Sequence, residues 1–239
     1  MQENWQDRTT LLIGEESLQK LKKAHVFIAG LGGVGGYAAE QLCRAGIGKL
    51  TIADNDTVHP SNRNRQIIAL TSSEGKKKTD LIFRRLRDIN PDVGINVLDE
   101  FLDDSNIPEH VNRGYDVILD AIDTLTPKVL LISESIKCGI KILSAMGSGG
   151  KLDPQQIRVG DIRESHGCKF AYKVRKALHA KGIWEGVRVV YSPEKVPGSA
   201  VRATDGTNNK RSVVGTISYM PAIFGCICAA EVLKIIRKD

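Results

Sequence analysis

The run Gly30-Leu-Gly-Gly-Val-Gly-Gly36 follows directly on the apolar stretch His25–Ala29. Glycines at the end of a strand let the backbone turn sharply and approach a phosphate closely. The helix that follows offers that phosphate free N–H groups. Gly30, Gly32, Gly33 and Gly35 are therefore candidate phosphate-turn residues, although the pattern alone serves dinucleotides and ATP equally. Asp54 closes a second apolar stretch roughly 20 positions further on, where a carboxylate accepts from ribose hydroxyls. An ordinary strand-end aspartate fits the same place, and Asp56 follows it. Next come Ser61-Asn62-Arg63-Asn64-Arg65-Gln66 and Gly75-Lys76-Lys77-Lys78. The guanidinium fork suits phosphate oxygens. A dinucleotide diphosphate is held mainly by backbone and does not need this many cations. The set therefore favours a triphosphate, ATP, with Arg65 and Lys78 as its cationic ligands, while Lys76 and Lys77 read as solvated surface. Asp120-Ala-Ile-Asp123-Thr124 ends a buried apolar segment. Open α/β sheets bind ligands at that edge, and a carboxylate facing a triphosphate is a reasonable Mg2+ ligand. Asp123 is the better metal candidate; Asp120 fits either a ligand or the cap of the next helix.

These groups need elements to position them. The patterning predicts a short helix over 16–23, a strand His25–Ala29, a helix Tyr37–Ala45 stopped at Gly46, and a strand Leu50–Ala53. A basic amphipathic helix over 74–89 ends before Asn90-Pro91. Strands over 94–98, 115–121 and 140–145, with a helix over 127–138, complete an alternation that means a parallel sheet with crossover connections. After Gly147-Ser-Gly-Gly150 the alternation loosens into a strand over 153–161, a basic helix over 169–181, a mobile Pro/Gly/Ser-rich loop over 192–211, and a largely apolar helix from Tyr219 to Arg237. The expected fold is α/β and Rossmann-like: a mostly parallel sheet with helices on both faces and a smaller C-terminal extension of the same sheet. It forms one domain, 1–239, with a nucleotide-binding half (1–150) and a substrate-binding half (151–239).

Composition excludes several classes. The chain has 239 residues, 41% hydrophobic and 26% charged, ordinary for a globular protein. No uninterrupted apolar run reaches the roughly 18 residues of a membrane span. The N-terminus MQENWQDRTT has no apolar signal core, so no membrane association is expected. Five cysteines without framework spacing argue against a disulfide scaffold and for a reducing cytoplasm. Cys226-Ile-Cys228 reads as small residues inside an apolar helix; Cys168 is the one cysteine in a polar, basic setting, a candidate reactive thiol. The net charge is +6. Lys169, Lys173 and Lys176 share one helix face, with Arg175, Lys181, Arg188, Lys195, Arg202, Lys210 and Arg211 nearby. Such a patch suits a nucleic-acid phosphate backbone, or is merely a solvated face. Phe170, Tyr172 and Trp184 are the few aromatics close to it.

Taken in order, GLGGVG, D-x-D, S-N-x-x-R-Q, G-x-x-K and D-x-x-D resemble the ubiquitin-activating-enzyme-like superfamily over residues 8–150 and, more weakly, to the end. The resemblance implies ATP-dependent formation of an acyl-adenylate. It assigns Gly33 to the phosphate turn, Asp54 to the ribose, Asn62 and Arg65 to the ATP, Lys78 to the motif lysine and Asp123 to magnesium. It matches Arg8 to an arginine that reaches the partner subunit's ATP site, which implies a homodimer with composite sites. Within the superfamily the chain is most similar to the tRNA threonylcarbamoyladenosine dehydratases, on Asn62–Gln66, Arg84–Pro91, Ala121–Thr124, Gly147–Pro154 and the basic stretch from Cys168 to Gly182. That implies a tRNA substrate, modified in its anticodon loop, and an ATP-driven cyclisation. Lys169, Lys173, Arg175 and Lys176 become candidate tRNA contacts, and a sulfur-transfer protein is a further candidate partner. The alternative is adenylation of the C-terminus of a ubiquitin-like sulfur carrier. Activators of that kind usually hold a zinc ion with two CxxC pairs, and this chain has none. Residues 211–218 contain no cysteine, which excludes a thioester step there. An NAD-dependent oxidoreductase is disfavoured by Arg65, Lys78 and Asp123.

Overall fold

The computed structural model describes residues 4–203 and 212–238. Strand β1 (His25–Ala29) shows how the sheet is built. Its side chains alternate between two apolar layers: Val26 and Ile28 on one face, Phe27 and Ala29 on the other. Strands β2 (Lys49–Ala53) and β4 (Val117–Asp120) flank it, both parallel to it. Then β3 (Gly94–Leu98) pairs with β2, β5 (Lys141–Ala145) with β4, and β7 (Arg188–Tyr191) with β5. The sheet has seven strands in the order β3-β2-β1-β4-β5-β7-β6. All pairs are parallel except that β6 (Arg158–Asp161) runs antiparallel to β7, which makes the expected C-terminal extension.

Helices cover both faces, as a parallel sheet requires. On one side lie α1 (Asp7–Lys23), α2 (Gly35–Ala45), α3 (Lys78–Ile89) and α7 (Tyr219–Arg237), contributing Leu21, Leu42, Leu86 and Phe224 to the core. On the other lie α4 (Ile107–Val111), α5 (Leu125–Lys137) and α6 (Lys169–His179), contributing Val111, Leu131 and Leu178. A separate hairpin pairs β8 (Val201–Ala203) with β9 (Ser212–Val214). Strand order reverses between β1 and β4, so the crevice lies at their C-terminal ends.

Several elements differ from expectation. Helix α1 starts at Asp7 and is broken at Gly14 (φ 79°), which shifts the phase of the apolar positions: Leu11 and Leu12 stay exposed while Leu18 and Leu21 are buried. Helix α3 begins at Lys78 rather than 74, because Gly75 (φ 76°) and a Thr57–Lys77 bridge hold the preceding residues in a turn. The strand expected over 153–161 is a 3-10 turn at Pro154–Gln156 followed by the shorter β6. Neither α4 nor β7 was anticipated. The loop over 192–211 is tied down in its described part: the buried Lys151 ammonium donates to the carbonyls of Ser192 (2.9 Å) and Glu194 (2.7 Å), and β8 follows. Residues 204–211, including Lys210 and Arg211, lie outside the described residues. Helix α7 averages a hydropathy of 1.7 over 18 residues, a span-like value; here Met220, Phe224, Cys228 and Val232 turn it onto the core, and Glu231 pairs with Arg188 at 2.6 Å.

His25 opens β1 with Nε2 2.8 Å from Thr51 Oγ1 and its ring edge-on to Tyr115. Burial first, then the Lys49 charge, pushes its pKa down from 6.5 to about 4, against the opposing pull of Asp116. Between those values the unfolded chain binds a proton that the folded chain refuses. The stabilising contribution is therefore complete above about pH 6.5 and lost as pH falls towards 4. We expect the wild-type Tm to fall more steeply than that of His25→Gln between about pH 7 and pH 5. Superimposable pH profiles would remove His25 as a cause.

Candidate active site

The crevice is shaped first by what glycine permits. Gly30 leaves β1 at φ 90°, and a Cβ there would stand 2.9 Å from the Ala121 carbonyl oxygen. A Cβ on Gly35 would be 1.8 Å from the Gly30 carbonyl oxygen, so only glycine lets α2 start this close to the strand it follows. Gly33 backs onto Pro221 of α7 and the Arg65 carbonyl, while Gly32 faces open space beside the Gln66 amide. Helix α2 starts directly after this turn, and the first N–H groups of a helix have no acceptor within it, which suits the turn to an anion.

Asp54 braces that turn. Its Oδ2 accepts from Leu31 N at 2.7 Å and its Oδ1 from Asp56 N at 2.8 Å. Lys78, the first residue of α3, is buried; its Nζ donates to Asp56 Oδ2 at 2.8 Å and stands 3.9 Å from Asp54 Oδ1. Burial raises the Asp54 pKa, and the Lys78 charge and the two backbone donors oppose that shift. Lys78 is thus held by two carboxylates rather than presented as a free cation. The short turn Pro60–Asn62 is closed by Asn62 Oδ1, which accepts from His59 N at 3.1 Å. It delivers Arg65, whose Nη1 donates to the Ser61 carbonyl and to Asn64 Oδ1, both at 2.9 Å. Burial lowers the Arg65 pKa, and the charge of Asp123 raises it, so the guanidinium and that carboxylate face one field. Asp123 itself is exposed, in the turn between β4 and α5. Its placement beside the Ala121 backbone that packs on Gly30 brings Arg65 and Asp123 together at the glycine turn.

The structure assigns Asp120 a different task from either expected one. It is wholly buried, and Oδ2 takes the Lys128 ammonium at 2.6 Å and the Ser144 hydroxyl at 2.5 Å. Lys128 Nζ also donates to Ser144 Oγ (3.1 Å) and to the Ala145 carbonyl (3.0 Å). Asp120 Oδ1 accepts from Ile122 N at 3.0 Å, which fixes the turn that carries Asp123. This buried triad was not found from sequence; the signal was a lone lysine within the apolar stretch Pro127-Lys-Val-Leu-Leu-Ile132. Gln66 was also missed. Its Oε1 is buried with no hydrogen-bond partner among the described residues, an acceptor that a ligand or water can satisfy, while its Nε2 lies 3.8 Å from where a Cβ on Gly32 would stand.

Other expected residues are not brought to the crevice. Arg8 is exposed on α1 and makes no hydrogen bond or ion pair among the described residues. Cys168 is 6% exposed, caps α6 by accepting from Ala171 N at 3.4 Å, and packs in the apolar layer beneath α6, where the basic group that acts on it is the buried Lys151 ammonium. Helix phase decides its exposure: its sequence neighbours His166 and Lys169 are exposed while Cys168 is buried. The same phase commits Arg175, whose guanidinium is spent on the Ser165 carbonyl and hydroxyl. Lys169, Lys173 and Lys176 remain exposed, as do Lys195 and Arg202, whereas Arg188 is paired with Glu231. Burial raises the pKa of Cys228 and of Cys226, and of Cys43 to about 11, so none of these is an activated thiol.

A crevice with a glycine turn, two cations and an exposed carboxylate can hold and polarise a nucleotide triphosphate. Comparison with known proteins agrees. The family model described as "ThiF family" matches residues 6–239. The tRNA threonylcarbamoyladenosine dehydratase of Bacillus subtilis is 35% identical, over 97% of this chain and 94% of its own length. The same-named protein of Escherichia coli is 36% identical, over 96% and 93%. The crystal structure of the E. coli tRNA N6-threonylcarbamoyladenosine dehydratase in complex with ATP superposes with a TM-score of 0.86 at 34% identity, covering 96% of this chain and 92% of that one.

Proposed function

The chain belongs to the ThiF family, and from that premise we propose that it dehydrates and cyclises threonylcarbamoyladenosine in tRNA, using ATP and passing through an acyl-adenylate. The observation that carries this reading is the 35% and 36% identity, over 97% and 96% of this chain, to relatives of that name. The crevice supports it. The substrate carboxylate attacks the α-phosphorus of ATP and pyrophosphate leaves, with the new charge on the phosphates met by Arg65, Lys78 and the N–H groups of the glycine turn. Lys78 changes partners from Asp54 and Asp56 towards the phosphates as they bind. A nucleophile of the same side chain then closes the ring and expels AMP. An intramolecular closure needs positioning more than a strong base.

Asp123 fits a magnesium ion, which takes one or two protein carboxylates together with phosphate oxygens. Among the described residues no cluster of three or more metal-binding side chains gathers, so an all-protein cage is not offered. When bound, the ion would offset phosphate charge. The enzyme in this reading is a cytoplasmic homodimer in which Arg8 of one copy completes the other's site. Leu11 and Leu12, 89% and 85% exposed on the helix that carries Arg8, supply apolar surface for a second copy to cover. Lys169, Lys173 and Lys176 contact the tRNA backbone.

The test is to incubate the purified protein with Mg-ATP and threonylcarbamoyl-modified tRNA, then digest the RNA and weigh the nucleosides. Loss of one water from the modified adenosine, with AMP released, is the expected result. An unchanged nucleoside in a preparation that binds ATP would overturn the reading in favour of a protein substrate.

A further inference from the structure

Two large aromatic residues stand in water on one side of the molecule: Tyr172 is 58% exposed and Trp184 63%. Each has a neighbour. Trp184 lies on the His179 imidazole, centroids 4.2 Å apart and planes at 30°. Tyr172 lies 5.8 Å from the Arg175 guanidinium carbon, and Arg175 is itself anchored to Ser165. On α6, positions 172, 176 and 179 are spaced as one face of a helix, and Trp184 continues that face through its stack on His179.

The charge around these rings is mostly positive. Lys169, Lys173, Lys176 and Lys181 are exposed beside them, and α6 contains no acidic residue. The nearest carboxylate in sequence, Glu185, is paired with Arg163. The stripe also starts at the edge of the sheet that carries the crevice. Helix α6 starts where β5 ends: Phe170 Cβ is 3.6 Å from where a Cβ on Gly147 would stand, and the Lys128 ammonium that holds the Asp120 carboxylate lies 5.9 Å from the Phe170 ring. From there the helix leads away from the site for about 16 Å at 1.5 Å per residue.

We propose that Tyr172 and Trp184, with the lysines between and beside them, form a docking stripe on which unpaired bases flanking the modified adenosine of the substrate RNA stack. The proposal rests on the RNA-substrate reading above. Held aromatic faces interleaved with lysines are what single-stranded nucleic acid requires: the rings take bases and the ammoniums follow the phosphates. A duplex keeps its bases stacked on each other and offers these rings nothing to stack on. Because His179 and Arg175 already hold the rings, little side-chain entropy is lost on docking.

The chain has two tryptophans, so Trp5→Phe leaves Trp184 as the sole reporter. The modified tRNA is titrated into this variant while Trp184 emission is followed, with a blunt RNA duplex and poly-glutamate as controls. Saturable quenching by tRNA, weak with duplex and absent with poly-glutamate, is expected. Trp184→Ala and Tyr172→Ala should each weaken tRNA binding roughly five- to hundredfold and raise KM with kcat little changed. Trp184→Phe, which keeps a ring, should restore most of the affinity. If tRNA binds and is modified but neither emission nor the affinity of the alanine variants changes, the stripe is not the dock, and the RNA-substrate reading survives. Quenching by poly-glutamate but not tRNA would overturn the proposal in favour of an acidic protein partner. If tRNA neither binds nor reacts with the unaltered protein, the RNA-substrate reading itself falls, and this proposal with it.

Discussion

Replacing Asp123 by Asn should reduce AMP formation from ATP and modified tRNA by at least about 10²–10³-fold, the typical loss when one preorganised electrostatic group is removed from a reacting centre. The exchange keeps shape and removes only charge, so an effect of this size on an exposed residue is not explained by folding. Two consequences of the charge are lost together. The carboxylate can no longer serve a magnesium ion on the triphosphate. It also no longer offsets Arg65, whose half-buried guanidinium it supports. Tm should move little, because the side chain is solvent-exposed. The rate is read by AMP release in single-turnover conditions, with ATP affinity measured separately. Activity within about tenfold of the unaltered protein would remove Asp123 from the chemistry.

The second large effect is on stability. Lys128→Met should cost about 3–5 kcal/mol, because it strands the Asp120 carboxylate at a wholly buried position. The ammonium satisfies Asp120, Ser144 and the Ala145 carbonyl at once, and both charged side chains are wholly buried. For a domain of this size the corresponding Tm loss is roughly 2–4 °C per kcal/mol. The double variant Lys128→Met, Asp120→Asn should recover much of the loss, since no buried charge then remains. The amide oxygen introduced at position 120 still accepts from Ile122 N, so the turn that carries Asp123 stays in place. Denaturant unfolding with an unchanged m-value is the measurement. A single-variant loss below about 1 kcal/mol would mean that water reaches Asp120 and that the carboxylate does not depend on the Lys128 ammonium.

Both predictions start from one short stretch, Asp120-Ala-Ile-Asp123, yet only half of it could be understood before the fold was known. Asp123 was legible because its place, just past a buried apolar run, is where open α/β sheets bind ligands. The role of Asp120 was not, because its partners come from α5 and the end of β5, and nothing local marks that meeting. The same division runs through the second half of the chain. The basic character of α6 was plain, but whether Cys168 and Arg175 face solvent depends on helix phase against the sheet, and both turned inward. The polar stretch after residue 191 suggested a mobile loop because its composition is that of turns. A buried lysine 41 residues before Ser192, Lys151, ties its first part down.

By itself, the sequence determined the alternation of strands and helices and the glycine turn after β1, and it marked Asp54, Arg65, Lys78 and Asp123 as candidates beside that turn. Each is written in the period of apolar residues or in a glycine's freedom at one position, properties that span only a few residues. The tertiary structure alone decided which charges are spent and which are presented. Lys128 and Lys151 are consumed in the interior, Arg175 anchors a turn, and Lys78 waits between two carboxylates, while Lys169, Lys173 and Lys176 stay in water. An ion pair forms between groups that the chain crossing brings within a few ångströms. Its strength depends on how much water the surrounding packing removes, which no local pattern records.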